Sequence, residues 1–271
     1  MTSTVASLVA AALYLTAGGM QWYRLLRGPS APTLRAPFLL VSFGAVFAHA
    51  WLLQTTVPIT GGLRLPFTQA VSLVACTISL LYVVAAISRP AQYLGLLVLP
   101  VAAMTVVLAW LWPGEAVIPT TSSLQGAHIV ISILAYALLA LATVQSLLLY
   151  YQERALRSRQ PVGLMRALPP LQTMETLMFR MLGVGFLLLT LTLITGVFFS
   201  EEIFGRALPL THHVLLSLIA WILFGTLLFG RWRYGWRGRT AVGWTVAGYS
   251  LLLLGYFGSK FVLEVLLKRP G

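Results

Sequence analysis

The sequence contains no aspartate, a single cysteine and few charged residues of any kind. Only 9% of its 271 residues are charged and 59% are hydrophobic, whereas a soluble domain carries about 25% charged residues. Because Cys76 stands alone, an internal disulfide, a multi-cysteine metal site and a CxxC redox motif are all excluded. The composition therefore excludes an ordinary soluble fold, and the cysteine count excludes thiol chemistry.

Common catalytic motifs are also missing. The sequence has no phosphate-binding GxxxxGK, no HExxH, no GxSxG and no pair of acids within its apolar runs. The protein therefore lacks the residues needed for hydrolysis and for nucleotide-driven transport, and it lacks the proton relay of an ion-coupled transporter. We therefore expect a protein that is not an enzyme.

Eight long uncharged stretches dominate the sequence. Each can hold a helix of about 20 residues, which is the length needed to cross about 30 Å of hydrocarbon. The stretches lack the alternation of a membrane β-barrel, and lipid does not tolerate an open sheet. The sequence thus predicts an all-α integral membrane protein, a single polytopic domain over residues 1–271. Its eight transmembrane helices are expected at about 4–23, 38–57, 67–88, 93–113, 126–150, 181–200, 212–230 and 240–259.

The basic residues indicate how these spans are oriented. The formal charge of the protein is +12, and the Lys and Arg residues lie in the short gaps between apolar runs. The expected partner of these residues is therefore membrane lipid and not nucleic acid. Thirteen basic residues fall on one side; five fall on the other, namely Arg64, Arg206, Lys260, Lys268 and Arg269. The positive-inside rule puts the larger group in the cytoplasm and both termini outside. The connection 153–180 is too short for a soluble catalytic domain and is expected to lie on the inner membrane surface.

All four histidines are predicted in the outer half of the membrane. His49 would lie roughly 12 Å below the outer end of the second span, while His128, His212 and His213 open the fifth and seventh spans. An interfacial histidine can simply be hydrated or hydrogen-bonded. Four on one side favour a functional role, because an imidazole in a membrane usually has one.

Two of these histidines begin similar segments. The fifth span begins HIVISILAY from His128 and the seventh HVLLSLIAW from His213, so each helix would present His, Ser and an aromatic residue on one face. The repeat is short and chance similarity is the alternative. If it is real, it places two imidazoles opposite each other.

Tryptophans are concentrated near the same rim. Trp51 follows His49 by two residues, and Trp110 and Trp112 end the fourth span. An aromatic belt at the membrane interface is the usual cause of such residues. The alternative is that Trp51 or Trp110 contacts a ligand bound near the histidines.

Four stretches of the sequence carry a family resemblance: HIVISILAYALLALA, LPPLQTMETLMFRMLGVGFLLLTLTLITGVFF, SLIAWILFGTLLFGRWRYGWRGR and GYFGSKFVLEVLL. Together they resemble the cytochrome c assembly membrane proteins, which include the haem-handling CcsA and CcmC proteins. Length and number of spans are most similar to the HemX-like and YpjD-like branch. The resemblance covers nearly the whole chain and is strongest over 126–266.

The resemblance implies a bacterial inner-membrane protein of cytochrome c biogenesis or haem homeostasis. Its partners would be haem and other cytochrome c assembly proteins or apocytochrome. It implies that His128 is an axial ligand of haem, and His49 is similar in placement to a membrane-embedded ligand of that family. The Trp-rich outer loop of the larger members is absent, since the sequence here is FGRALPLTHH, and so is the His after the last Phe-Gly. Full synthetase activity is therefore not expected.

These considerations predict a protein that binds or handles haem b in the outer half of the membrane. The iron ligands would be His128 with His213 or His49, and His212 is the weaker candidate because it lies about 100° around the helix from His213. The macrocycle would lie against Trp51 or Trp110. The cations available to the propionates are Arg64, Arg206 and Lys260. The alternatives are a structural or regulatory scaffold without haem and, less favoured, a small-solute transporter.

Overall fold

The computed structural model describes residues 2–27, 35–87, 89–119, 123–157, 168–204 and 212–267. Eight of its helices are long and apolar enough to cross a membrane. They are α1 (Thr2–Arg27), α2 (Arg35–Thr56), α3 (Phe67–Ala86), α4 (Gly95–Leu111), α5 (Ser123–Arg157), α6 (Leu171–Phe204), α7 (His212–Tyr234) and α8 (Arg239–Leu253). The predicted all-α membrane protein with eight spans is confirmed, whereas the side on which each terminus lies stays a prediction.

Short elements complete the described part of the chain. A 3-10 helix, Arg89–Leu94, precedes α4, and α8 continues through two π-helical turns, Leu254–Gly258 and Val262–Leu266, separated by Ser259–Phe261. Three short strands form one sheet in the order β1 (Pro58–Ile59), β2 (Gly62–Arg64) and β3 (Val117–Pro119). The last span therefore runs further than its predicted end at 259.

The helices flanking the longest connection are also longer than the sequence suggests. Helix α5 ends at Arg157 and α6 begins at Leu171, so both ends of the connection 153–180 are helical, and its position on the inner membrane surface stays a prediction. Met174 and Met178 are fully buried, and Gln145 Nε2 of α5 donates to the Met174 oxygen at 3.0 Å. Residues 158–167, between these extensions, lie outside the described residues.

The chain forms two compact units. Unit 1 comprises residues 1–118 and 152–173, and unit 2 comprises residues 119–151 and 174–271. The single polytopic domain expected from the sequence stays a prediction.

In unit 1, α1 packs against α2 and α4, and α3 packs against α4 and α2. Helices α3 and α4 approach closely at Gly95, where an added Cβ would lie 2.1 Å from the Tyr82 hydroxyl oxygen. At one end of the unit, β1 and β2 form an antiparallel hairpin whose turn contains Gly61 at a φ of 82°. Strand β3 adds to this hairpin, so a small sheet covers that end of the helices.

In unit 2, α7 packs along α8 and its first π-helical turn. Gly248 of α8 makes room for the buried Phe224 of α7, whose ring lies 2.9 Å from where a Cβ would be. Trp221 Nε1 donates to Thr190 Oγ1 of α6 at 2.9 Å, and the Trp221 ring stacks on Phe186. These contacts hold α6, α7 and α8 together below the histidines of α5 and α7.

Candidate functional site

His128, near the beginning of α5, is held by a threonine of α6. Its Nδ1 lies 2.9 Å from Thr195 Oγ1, and Thr195 Oγ1 in turn donates to the Leu191 main-chain oxygen at 2.8 Å. Because the threonine proton is used by that carbonyl, the imidazole Nδ1–H is the donor to Thr195. The neutral ring then carries its lone pair on Nε2, which is the tautomer in which a histidine binds metal through Nε2.

The neighbouring residue of α6 leaves space for this ring. A Cβ built on Gly196 would lie 3.2 Å from His128 Cε1, which is closer than ordinary van der Waals contact. A larger residue would therefore push the imidazole away from Thr195. Both Thr195 and Gly196 lie in the run LTLITGVFF, which carries part of the family resemblance, but sequence reasoning did not identify them as site residues.

His213 and His212 open α7, and the two rings meet edge to face with centroids 6.1 Å apart. His213 is exposed and lies within electrostatic range of His128. His212 Nε2 lies 2.6 Å from Ser259 Oγ, whose own proton goes to the Gly255 main-chain oxygen at 2.6 Å. His212 Nε2 is therefore the donor of that bond, whereas His213 interacts electrostatically with His128.

The two predicted polar faces do not have equivalent surroundings. The Ser132 hydroxyl donates to the His128 main-chain oxygen of its own helix at 2.6 Å. The Tyr136 hydroxyl donates to the Leu252 oxygen at the end of α8, whereas Trp221 donates to α6. The HxxxSxxx-aromatic repeat therefore places the histidines on two helices without creating a symmetric site.

His49 lies in unit 1 and is completely buried. Its Nδ1 is hydrogen-bonded to the Tyr14 hydroxyl at 3.2 Å and its Nε2 to Ser72 Oγ at 2.8 Å. These bonds join α1, α2 and α3, and they use both ring nitrogens. His49 thus has the geometry of a structural histidine, and coordination of a metal would require the loss of one bond.

A pocket of about 450 Å³ lies beside this histidine, beneath the small sheet of unit 1. Ser72, the hydrogen-bond partner of His49, contributes to its wall, as do Arg64 and Trp110. Trp51 is 61% exposed and is not among the residues that line the pocket. Of the two tryptophans predicted to contact a ligand, Trp110 is therefore placed at a cavity and Trp51 at the outer surface of α2.

The predicted cations have different surroundings. Arg64 is exposed at the pocket of unit 1, and Arg206 lies outside the described residues. Lys260 Nζ is 2.6 Å from a Glu264 carboxylate oxygen, and the two side chains are only 10% and 12% exposed. Lys260 is thus neutralised by a mostly buried partner one helical turn away, which corrects the expectation that its charge is available to a ligand.

Within the described residues, no group of three or more His, Cys, Asp or Glu side chains could hold a bare metal ion. A structural zinc site takes four such ligands and a catalytic zinc site three.

Comparison of the sequence with known proteins gives matches that all point to one family. A family model described as "Cytochrome C assembly protein" matches residues 34–267. The inner membrane protein YpjD of Escherichia coli K12 is 34% identical over 202 residues, which cover 72% of this chain and 73% of that protein. Protein HemX of Brevibacillus brevis is 28% identical over 138 residues, about half of either chain.

A more distant similarity extends to the CcsA proteins. The cytochrome c biogenesis protein CcsA of Prochlorococcus marinus MIT 9515 is 32% identical over 91 residues, 34% of this chain and 29% of that protein. The family match over residues 34–267 and the eight apolar helices agree with the resemblance noted in the sequence. The chain belongs to the cytochrome c assembly protein family, in its HemX-like and YpjD-like branch, as a multi-pass protein of the bacterial inner membrane.

Proposed function

We propose that the protein binds haem between α5 and α7, with His128 and His213 as axial ligands, and handles it in cytochrome c biogenesis. The proposal is supported by the hydrogen bond that fixes His128 to Thr195 and by the electrostatic interaction of His128 with His213. Relatives that bear the name cytochrome c biogenesis protein CcsA support the process. We propose no catalysed reaction.

The chemistry of the donor set fits haem. Haem would bring most of the ligands of its own iron, and His128 and His213 would hold it through their neutral imidazoles. Two histidines are therefore enough for haem, although they would be too few for a protein-bound zinc ion. Because the chain has only Cys76, it lacks the CxxCH motif of covalent attachment, and unmodified haem b is the form we propose.

The surrounding residues would each contribute to ligand orientation. Thr195 holds the His128 ring in one tautomer and one direction, and Gly196 leaves the ring the room that it occupies. Ser259 holds His212 away from this role. With Lys260 neutralised by Glu264, Arg206 is the cation of unit 2 that we propose for a propionate.

The test is an absorption spectrum of the full chain purified in detergent from haem-replete cells. We expect a Soret band that shifts on reduction and a haem content near one per chain. His128→Ala should abolish or grossly reduce the band, while the matched variant His212→Ala should keep it. A wild-type protein that stays without haem after supplementation would contradict the proposal and favour a scaffold role.

A further inference from the structure

The first 114 residues contain cations and no acids. Their charged residues are Arg24, Arg27, Arg35, Arg64 and Arg89, and Glu115 is the first acidic residue of the sequence. The only other acid in unit 1 is Glu153, which pairs with Arg157 at 2.5 Å. Among the described residues, the ion pairs join Glu153 to Arg157, Glu175 to Arg231 and Glu264 to Lys260, and none includes an arginine of α1 or α2.

Arg24, in the last turns of α1, is held by neutral groups. Its Nη1 donates to Gln21 Oε1 at 2.9 Å and its Nη2 to Gln92 Oε1 at 3.2 Å. The guanidinium carbon also lies 4.9 Å from the ring centroid of the buried Phe38. Amide and aromatic contacts fix the position of this guanidinium but leave its charge uncompensated.

Arg35, the first residue of α2, converges on the same place. Its Nη2 donates to the Ile87 main-chain oxygen at 2.5 Å, and Gln92, the partner of Arg24, donates to the Ala86 oxygen at 3.2 Å. Both guanidinium groups are therefore held at the end of α3, Arg35 directly and Arg24 through Gln92, and they interact electrostatically. Their Nε atoms are buried and have no hydrogen-bond partner within the described part of the chain.

Two like charges held close together repel, and partial burial strengthens the repulsion because water screens it less. An anion between them would remove this cost. The guanidinium fork matches phosphate oxygens in a bidentate arrangement.

We propose that Arg24 and Arg35 form a binding site for a phosphate oxyanion, either the phosphodiester of an anionic lipid or free phosphate. The site lies where the end of α1, the beginning of α2 and the end of α3 meet, at the depth expected for lipid headgroups. It uses none of the histidines and is independent of the proposed haem function.

The test is native mass spectrometry of the full chain in neutral detergent, titrated separately with phosphatidylglycerol, phosphatidylcholine and inorganic phosphate. The wild type should bind phosphatidylglycerol in preference to phosphatidylcholine. Arg35→Gln should weaken this binding about tenfold, because a hydrogen bond to a charged group contributes roughly that factor or more. Arg27→Gln is the matched control, since Arg27 is exposed and lies over the Tyr23 ring, and it should bind as the wild type does.

The arms of the experiment also distinguish the source of the phosphate. Binding of inorganic phosphate with the same dependence on Arg35 would support the site with free phosphate as its ligand. If Arg35→Gln does not fold, Arg24→Lys is the second test. It keeps the positive charge but removes the bidentate guanidinium group, and it should still weaken binding. The proposal would be overturned if the site variants bound as tightly as the wild type or if Arg27→Gln lost as much affinity as they do. It would also be overturned if the wild type bound phosphatidylglycerol no better than phosphatidylcholine.

Discussion

Replacing Thr195 with valine tests how the proposed ligand His128 is positioned. The two side chains have nearly the same shape, so Thr195→Val removes the 2.9 Å hydrogen bond to His128 Nδ1 without opening a cavity. Loss of a hydrogen-bond partner of a ligating histidine lowers metal affinity about 10- to 100-fold. The Thr192 main-chain oxygen also interacts with the His128 ring, so we expect the lower end, about tenfold.

The assay is a haem titration of the purified apoprotein in detergent, followed by the Soret band. Thr192→Val is the matched control, because the Thr192 hydroxyl donates only to the Leu188 oxygen of its own helix at 2.9 Å among the bonds described. Its affinity should stay within about twofold of the wild type, since it leaves the main-chain oxygen in place. Unchanged affinity in a folded Thr195→Val protein, or an equal loss in Thr192→Val, would refute the positioning role of Thr195.

Three further predictions concern the rest of the molecule. His49→Ala should keep the Soret band but lower the free energy of unfolding by about 2–5 kcal/mol, because the substitution leaves buried hydroxyl groups without a partner and opens a cavity. A thermal melt measures the change in stability. Loss of haem with unchanged stability would contradict the prediction. Lys260→Gln should destabilise the fold by about 3–5 kcal/mol, since the Glu264 charge is then left without its partner. The control is the double variant Lys260→Gln, Glu264→Gln, which should recover the lost stability. Reporter fusions at Arg159 and Glu115 should read cytoplasmic and external respectively, and the same side for both would refute the orientation.

The eight spans were predictable because each is a long apolar run, and lipid requires such a run to be helical. The helix ends were not, since the extensions to Arg157 and from Leu171 contain polar and charged residues that hydropathy assigns to a loop. In the structure, Gln145 Nε2 of α5 donates to the Met174 oxygen in the extension of α6, a tertiary contact that hydropathy does not indicate. Composition therefore predicts which segments cross the membrane, but only packing determines where each helix begins.

The sequence indicates which histidines belong to the candidate site, but it does not indicate which residues hold each of them in place. The choice between His213 and His212 depends on Ser259, which lies 47 positions further along the chain, and no local pattern indicates that contact. The same holds for Thr195, 67 positions after His128. The Lys260–Glu264 pair is different, because opposite charges four residues apart on a helix predict it.

Low-temperature electron paramagnetic resonance of the ferric protein tests the central claim most directly. With His128 and His213 both bound to iron, the wild type should give a low-spin signal. His213→Ala should convert it to a high-spin signal with one histidine still bound, whereas His212→Ala should leave it low-spin. A low-spin signal that persists in a folded, haem-loaded His213→Ala protein would contradict the assignment of this ligand pair.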